Sequence, residues 1–309
     1  MPNELAVTVH DLAVIFGTFA AVNNITFSVS RGEIFGFLGA NGAGKTTTIR
    51  VLCGLLHPTR GNVTVGGTAF TNKAAEIAIK RKVGYMSQKF TLYNDLTIEE
   101  NLAFMASLRG LDTTTYLKRR DYILNFISFT QPLDSFVKSL PGGIKQQVAL
   151  AAAILHDPEI VFLDEPTAGV TPAMRARFWA LINDLARLGK TIFVTTHYMD
   201  EAEQCERIAL MRSGKIIALD TPANLKTKTF PEKLYEFSPH TQVSYTDIQG
   251  LKNRPEFSYF EPFGLRFHAV FNQLPTTAAL QQELQQDFVV REIAPTLEDV
   301  FIRTTEEKA

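Results

Sequence analysis

Residues 39–46 constrain the fold of this chain more than any other feature. They read GANGAGKT and match the pattern G-x-x-x-x-G-K-[ST] at every position. The apolar run before them, residues 34–40, predicts a strand buried on both faces. The residues after them, TTTIRVLCGLL, predict a helix that ends near Gly54 and Pro58. A glycine-rich turn between a buried strand and a helix is the setting that a phosphate-binding loop requires.

The residue types of this loop each have a chemical reason. Gly39, Gly42 and Gly44 let the backbone turn tightly and bring its N–H groups to phosphate oxygens. The helix that begins here adds its positive N-terminal end. Lys45 can reach terminal phosphates, and the Thr46 hydroxyl can coordinate Mg²⁺. The loop therefore predicts a site for a phosphate-bearing ligand together with Mg²⁺.

Two carboxylates follow a second buried strand. The segment EIVFLDEP, residues 159–166, ends its apolar run in Asp164 and Glu165. Carboxylates are costly at such a place unless they serve a cation or a proton. Asp164 is therefore predicted to hold Mg²⁺, directly or through water, and Glu165 to orient and polarise an attacking water.

The order of strands and helices predicts a parallel α/β sheet followed by a smaller α+β region. Helical patterns without a strand fill about residues 90–145, and composition shifts after Pro222. In the C-terminal region, residues 242–248 (QVSYTDI) and three later segments predict strands, and TAALQQELQQDF predicts a helix. Thr296 and Asp299 predict a capping box for the last helix. The alternating aromatic residues of this region predict its core.

Composition excludes several classes of protein. The formal net charge is −1, which argues against a protein that mainly coats nucleic acid. The two cysteines, Cys53 and Cys205, form neither a disulfide framework nor a metal-type spacing, and we expect both to be buried. We expect no spanning helix and no signal peptide, because apolar runs are short and the N-terminus has no basic region.

Further motifs complete a family resemblance. LPGGIKQ, residues 140–146, resembles the signature motif L-S-G-G-x-x-Q of ABC ATPases. Phe16 resembles the aromatic residue that stacks on adenine, with Phe19 as the competing candidate. Gln88 resembles the glutamine, and His197 the histidine, of that family's nucleotide site. Six motifs in order cover residues 5–225, and APTLEDVFIRTT resembles the tail of ATP-binding subunits of ABC-2 type exporters.

The resemblance implies a phosphate-loop ABC-ATPase fold with an antiparallel β subdomain, a helical subdomain and a small C-terminal α+β domain. It implies an ATPase domain over residues 5–229 and an accessory domain over 230–309. It also implies ATP and Mg²⁺ as cofactors. The implied nucleotide contacts are Phe16, Val22, Gly39, Asn41, Gly42, Ala43, Gly44, Lys45, Thr46 and Thr47. The implied catalytic residues are Glu165, His197 and Gln88, and the implied metal ligands are Thr46, Gln88 and Asp164.

In the family, two nucleotide-binding domains pair head to tail, and the signature motif of one completes the site of the other. The implied signature residues are Leu140, Pro141, Gly142, Gly143 and Gln146. This chain departs from the pattern at Pro141, Thr171 and Gln147, where the family has serine, aspartate and often a basic residue. All three departures fall on the part that serves the partner. They leave open a homodimer and a pair with a second, non-identical domain.

The resemblance further implies separate membrane permease chains, a position on the cytoplasmic face of the membrane through those chains, and no nucleic-acid partner. Two alternatives remain open from the sequence. One is a soluble ABC ATPase that acts outside transport, on ribosomes or DNA. The other is a regulatory nucleotide-binding subunit that hydrolyses ATP weakly, against which Glu165 argues.

Overall fold

The structure, a computed structural model, describes residues 4–88, 92–241, 245–272, 284 and 286–306. The chain divides into two compact units, Met1–Thr221 and Pro222–Ala309. Within the described residues, no helix is both long enough and apolar enough to cross a membrane.

The first unit contains ten strands and seven helices among its described residues. The strands are β1 (Leu5–Phe16), β2 (Phe19–Ser30), β3 (Ile34–Leu38), β4 (Arg60–Val65), β5 (Thr68–Ala69), β6 (Val83–Met86), β7 (Ile160–Asp164), β8 (Thr191–Thr196), β9 (Arg207–Arg212) and β10 (Lys215–Asp220). The helices are α1 (Lys45–Leu52), α2 (Lys73–Lys82), α3 (Ile98–Leu108), α4 (Thr113–Phe126), α5 (Gly142–Ile154), α6 (Pro172–Arg187) and α7 (Met199–Ala202).

The central sheet has the strand order β10-β9-β3-β8-β7-β6, and every neighbouring pair is parallel except β10 and β9. The prediction of a parallel α/β sheet is confirmed. Every residue of β3, β7 and β8 is buried, as their continuous apolar character predicted. The register pairs Leu38 with Thr196 and Asp164 with Thr195, so the carboxyl ends of these strands meet at one edge.

A second sheet, with the order β2-β1-β4-β5, is antiparallel throughout. It shares one hydrophobic core with the central sheet, because apolar residues of both pack together. Strand β2 passes beside the phosphate loop: a Cβ atom on Gly44 would lie 2.6 Å from the Ala21 carbonyl oxygen. The antiparallel sheet therefore forms one wall next to the loop.

The helical stretch expected between about residues 90 and 145 contains α3 and α4. A complete capping box starts α3, in which Thr97 and Glu100 each bind the other's backbone N–H. Helix α5 opens at the two glycines of the signature-like motif. Helix α2 was not predicted, although Asn72 caps it by accepting a side-chain hydrogen bond from Ala75 N.

The second unit contains β11 (Leu234–Pro239), β12 (Phe257–Phe263), β13 (Arg266–Phe271) and β14 (Phe288–Ile293). They form an antiparallel sheet in the order β12-β13-β11-β14. Its described helices are α8 (Pro222–Thr229), α9 (Tyr245–Lys252) and a last helix, α10 (Leu297–Glu306). The predicted aromatic core is confirmed, with Phe257, Phe260 and Phe267 buried in one cluster.

The second unit begins at Pro222, and α8 packs against α10 inside it. The strand predicted at residues 242–248 is wrong where the structure describes it, since Tyr245–Lys252 is a helix. Most of TAALQQELQQDF lies outside the described residues. The predicted capping box of α10 is confirmed by hydrogen bonds in both directions between Thr296 and Asp299.

Candidate active site

The phosphate loop between β3 and α1 needs glycine for two different reasons. A Cβ atom on Gly39 would lie 2.3 Å from the Met211 carbonyl oxygen, which is closer than real atoms approach. Gly42 and Gly44 have φ angles of 82° and 106°, in the region that side chains rarely adopt. Space around Gly42 is open, so its backbone is accessible to a ligand.

Lys45 is almost fully buried within this loop. Its Nζ donates hydrogen bonds to the carbonyl oxygens of Gly39 at 2.7 Å and Ala40 at 3.1 Å, and lies 3.6 Å from Glu165 Oε1. Burial lowers the pKa of Lys45, and the neighbouring Glu165 and Asp164 carboxylates oppose this shift. The ammonium group is thus aimed along the loop where phosphates would bind.

Asp164 at the end of β7 is held by two hydroxyl groups. Its Oδ1 accepts hydrogen bonds from Thr195 Oγ1 at 2.6 Å and Thr46 Oγ1 at 3.1 Å. The Tyr85 hydroxyl lies 3.5 Å from Oδ2, and burial with this carboxylate raises the pKa of Tyr85. Carboxylate and hydroxyl oxygens are the hard ligands that Mg²⁺ prefers, so the Thr46–Asp164 pair fits this ion.

Glu165 lies next to both Gln88 and His197. Its Oε2 accepts a hydrogen bond from Gln88 Nε2 at 2.8 Å and lies 3.5 Å from His197 Nδ1. Its φ angle of 50° is uncommon for a residue with a side chain. The Thr195 hydroxyl stabilises this conformation by accepting a 2.9 Å hydrogen bond from the Glu165 backbone N–H. Two predicted catalytic side chains, Gln88 and His197, therefore lie at the carboxylate of the third, Glu165.

Thr195 is a site residue that the sequence analysis missed. It is fully buried and contacts both Asp164 and the Glu165 backbone. A signal was present, because two threonines follow the apolar residues 192–194 directly before His197. A hydroxyl in a buried strand needs a polar partner, and here that partner is the Asp164 carboxylate.

The two aromatic candidates for stacking lie opposite each other at the end of the β1–β2 hairpin. Phe16 pairs with Phe19, and their exposed fractions are 52% and 64%. Both rings are therefore available to a ligand. Val22 was also predicted to contact the nucleotide. Its side chain is fully buried in the core and has no surface with which to touch a nucleotide.

The signature-like residues begin α5, with Pro141 at its N-cap and no side-chain cap. Gln146 is buried and donates a hydrogen bond to the Ala168 carbonyl oxygen at 3.1 Å, in the loop that follows Glu165. Thr171, which replaces the family's aspartate, caps α6 by accepting from Met174 N. Two of the departures from the family pattern, Pro141 and Thr171, are thus the N-cap residues of α5 and α6.

Comparison with known proteins identifies the family. The family model described as ABC transporter matches residues 22–168. The Nod factor export ATP-binding protein I of Bradyrhizobium diazoefficiens is 33% identical over 306 residues, which cover 98% of this chain and 97% of that protein. This chain belongs to the ABC transporter family of ATP-binding proteins.

Another relative is longer. The probable multidrug ABC transporter ATP-binding protein YbhF of Escherichia coli is 43% identical over 228 residues, which cover 74% of this chain. The match spans 39% of the length of YbhF.

Solved structures confirm the fold. The ATP-binding subunit of an ABC transporter superposes with a TM-score of 0.65 at 29% identity, covering 72% of this chain and 92% of that one. A dimeric ATP-binding cassette bound to ADP and Pi in a post-hydrolysis state superposes with a TM-score of 0.64 at 25% identity, covering 70% and 98%.

Proposed function

We propose that this chain is the ATP-binding and ATP-hydrolysing subunit of an ABC transporter of the exporter type. The observation that carries the proposal is the arrangement around Glu165: its carboxylate accepts from Gln88, lies 3.6 Å from Lys45, and follows directly on the Asp164–Thr46 pair. A base, a phosphate-binding cation and a metal-binding pair thus share one edge of the sheet.

In this proposal the loop N–H groups and Lys45 bind the phosphates, and an exposed aromatic ring, Phe16, stacks on adenine. Thr46, Asp164 and Gln88 hold Mg²⁺, which supplies charge neutralisation at the phosphates when bound. Asn41, Ala43 and Thr47 contribute to the same cradle.

Glu165 orients a water molecule and accepts its proton as the water oxygen bonds to the γ-phosphorus. The bond from that phosphorus to the bridging oxygen breaks, and ADP leaves with the electron pair. His197, beside Glu165, contacts the γ-phosphate and stabilises its developing charge.

The transport role rests on relatives. Their names include multidrug transport and Nod factor export, which supports export over an ATPase unconnected with transport. Separate permease chains would supply the membrane part and hold this subunit on the cytoplasmic face. A dimeric cassette among the structural neighbours supports a second nucleotide-binding domain as partner.

Replacement of Glu165 tests the proposal. In the full chain with Mg²⁺ and ATP, Glu165→Gln should lower kcat by about 10²–10⁴-fold, the usual loss of a general base, while ATP binding survives. Glu159→Gln is the matched control, because Glu159 precedes β7 and its half-exposed side chain pairs with Arg31. Retention of more than about a tenth of the wild-type rate in Glu165→Gln would remove Glu165 from this role.

A further inference from the structure

Glu201 on α7 is a buried carboxylate that the proposed reaction does not use. Only 1% of its surface is exposed. Taking a carboxylate out of water is costly unless it is paired and hydrogen-bonded. The partners of Glu201 therefore indicate which part of the structure it stabilises.

Two threonine hydroxyls and one arginine surround this carboxylate. Thr196 Oγ1 donates to Glu201 Oε2 at 2.7 Å, and Thr167 Oγ1 donates to Oε1. Arg175 Nε lies 3.3 Å from Oε1. The guanidinium thus compensates the negative charge of Glu201, although this nitrogen forms no well-directed hydrogen bond. Both threonines are as buried as Glu201 itself. We call Thr167, Thr196 and Glu201 the hydroxyl clamp.

The arms of the clamp lead to the two groups that face each other in the candidate site. Thr167 follows Glu165 by two residues, and Thr196 directly precedes His197. Thr196 Oγ1 also accepts a 2.9 Å hydrogen bond from Tyr198 N, which fixes the turn that carries His197. One carboxylate is therefore bonded to the segment after Glu165 and to the segment before His197.

A second set of contacts fixes the same turn from outside. The Arg175 guanidinium lies 4.2 Å from the centre of the Tyr198 ring and 3.3 Å from Asp200 Oδ2. Arg175 belongs to α6, so the turn is also tied to the helix that follows Thr171. The backbone turn that carries His197 is therefore held both by Thr196 and by Arg175.

We propose that Glu201 is a positioning residue, which through Thr196 and Thr167 sets the placement of His197 relative to Glu165. The inference rests on the proposed ATPase function. The hydrogen bonds and ion pair of Glu201 go to Thr167, Thr196 and Arg175, so it acts on geometry and not on the reacting atoms. A misplacement of about 1 Å at a reacting group can cost about 10²-fold in rate.

Valine at either threonine removes one arm while keeping the side-chain shape. Thr196→Val and Thr167→Val should each lower kcat about 10-fold or more, within the range known for small misplacements, with the KM for ATP nearly unchanged. Thr196→Ser keeps the hydroxyl and should restore most of the rate. A structural role alone would not predict a loss confined to kcat with recovery by serine.

Thr191→Val is the matched control. Thr191 begins the same strand, β8, is equally buried, and its hydroxyl accepts a 3.0 Å hydrogen bond from Gly32 N. This variant should lose thermal stability comparable to that of Thr196→Val and leave kcat at the wild-type value. A similar kcat loss in both variants would assign the effect to general destabilisation and overturn the proposal.

The imidazole ¹H–¹⁵N resonances of His197, assigned with His197→Gln, give a readout that does not depend on turnover. They should shift in Thr196→Val and Thr167→Val and stay in place in Thr191→Val. Wild-type kcat with unshifted resonances in both clamp variants would overturn the proposal. Absence of turnover in the wild-type chain would instead overturn the proposed function, and the resonances would still decide the role of the clamp.

Discussion

Lys45 holds its charge in a buried position between loop carbonyl groups and Glu165. Lys45→Ala should weaken ATP binding itself, because the ammonium attracts phosphate before the transition state as well as in it. Hydrogen bonds to charged groups contribute about 1.5–3 kcal/mol, so Kd should rise roughly 10–100-fold. Calorimetric titration of ATP measures this change.

Lys138→Ala is the control for this titration, since Lys138 is exposed and pairs with Asp95 at 3.2 Å. An unchanged Kd in Lys45→Ala would mean that residues 39–46 do not bind the phosphates.

Pro141 stands at the N-terminus of α5. Proline has neither a hydroxyl nor a backbone N–H, so in the proposed pair with a second domain Pro141 would offer the γ-phosphate fewer donors than serine. Loss of one such donor costs about 10²–10³-fold in rate in other enzymes. We expect Pro141→Ser to raise ATPase activity of a homodimer, and also to cap α5 and add about 1 kcal/mol of stability.

ATPase assays of the isolated chain beside Pro141→Ser test this expectation. Strong wild-type turnover that serine does not raise would contradict the idea that Pro141 lowers ATPase activity. It would also remove the main reason to expect a second, non-identical nucleotide-binding domain.

His156, just after α5, links that helix to the start of β6 because its Nε2 lies 3.0 Å from the Val83 carbonyl oxygen. Burial, aided by the Arg109 charge, lowers the pKa of His156 from 6.5 to about 4. Between these values the unfolded chain binds more protons, so the free energy of unfolding falls as pH falls. Above 6.5 both states are neutral here and the effect vanishes.

His156→Gln should remove this acid-dependent loss, since glutamine can keep the hydrogen bond without titrating. Urea unfolding over the range from pH 7 to pH 4 should show the wild type losing about 3 kcal/mol relative to the variant. Parallel stability curves for the two proteins would contradict the assignment.

Each of the two units has a hydrophobic core among its own residues, one in Met1–Thr221 and one in Pro222–Ala309. All residues proposed to bind ATP belong to the first unit. Calorimetry should therefore show two unfolding transitions, of which only one moves with Mg²⁺ and ATP. Ligand at 100 times Kd should stabilise that unit by about 2.7 kcal/mol.

Lys45→Ala should reduce this stabilisation to about 0.4–1.4 kcal/mol at the same ATP concentration, because the ligand is then only about 1–10 times its Kd. A single transition that moves as a whole with ATP would show that the two units unfold together.

The sequence alone determined the parts that depend on neighbours along the chain. The glycines of residues 39–46 meet a local backbone requirement, and the apolar runs before Asp164 and before His197 predict buried strands without knowledge of their partners. Resemblance then assigned Gln88 and His197 to the same site, and the structure brings both near Glu165.

Which side chains share an environment depends on packing between segments that are distant in the chain. In the sequence, Glu201 is one of several acidic residues on a short helix. It is buried in the structure because Thr167, which follows β7, and Thr196, which ends β8, both form hydrogen bonds with it. Val22 faces the core and not a ligand for the same kind of reason. Residues 242–248 have strand-like composition, yet Tyr245–Lys252 is helical. Local preference is worth about 1 kcal/mol or less per residue, and burial against distant partners outweighs it.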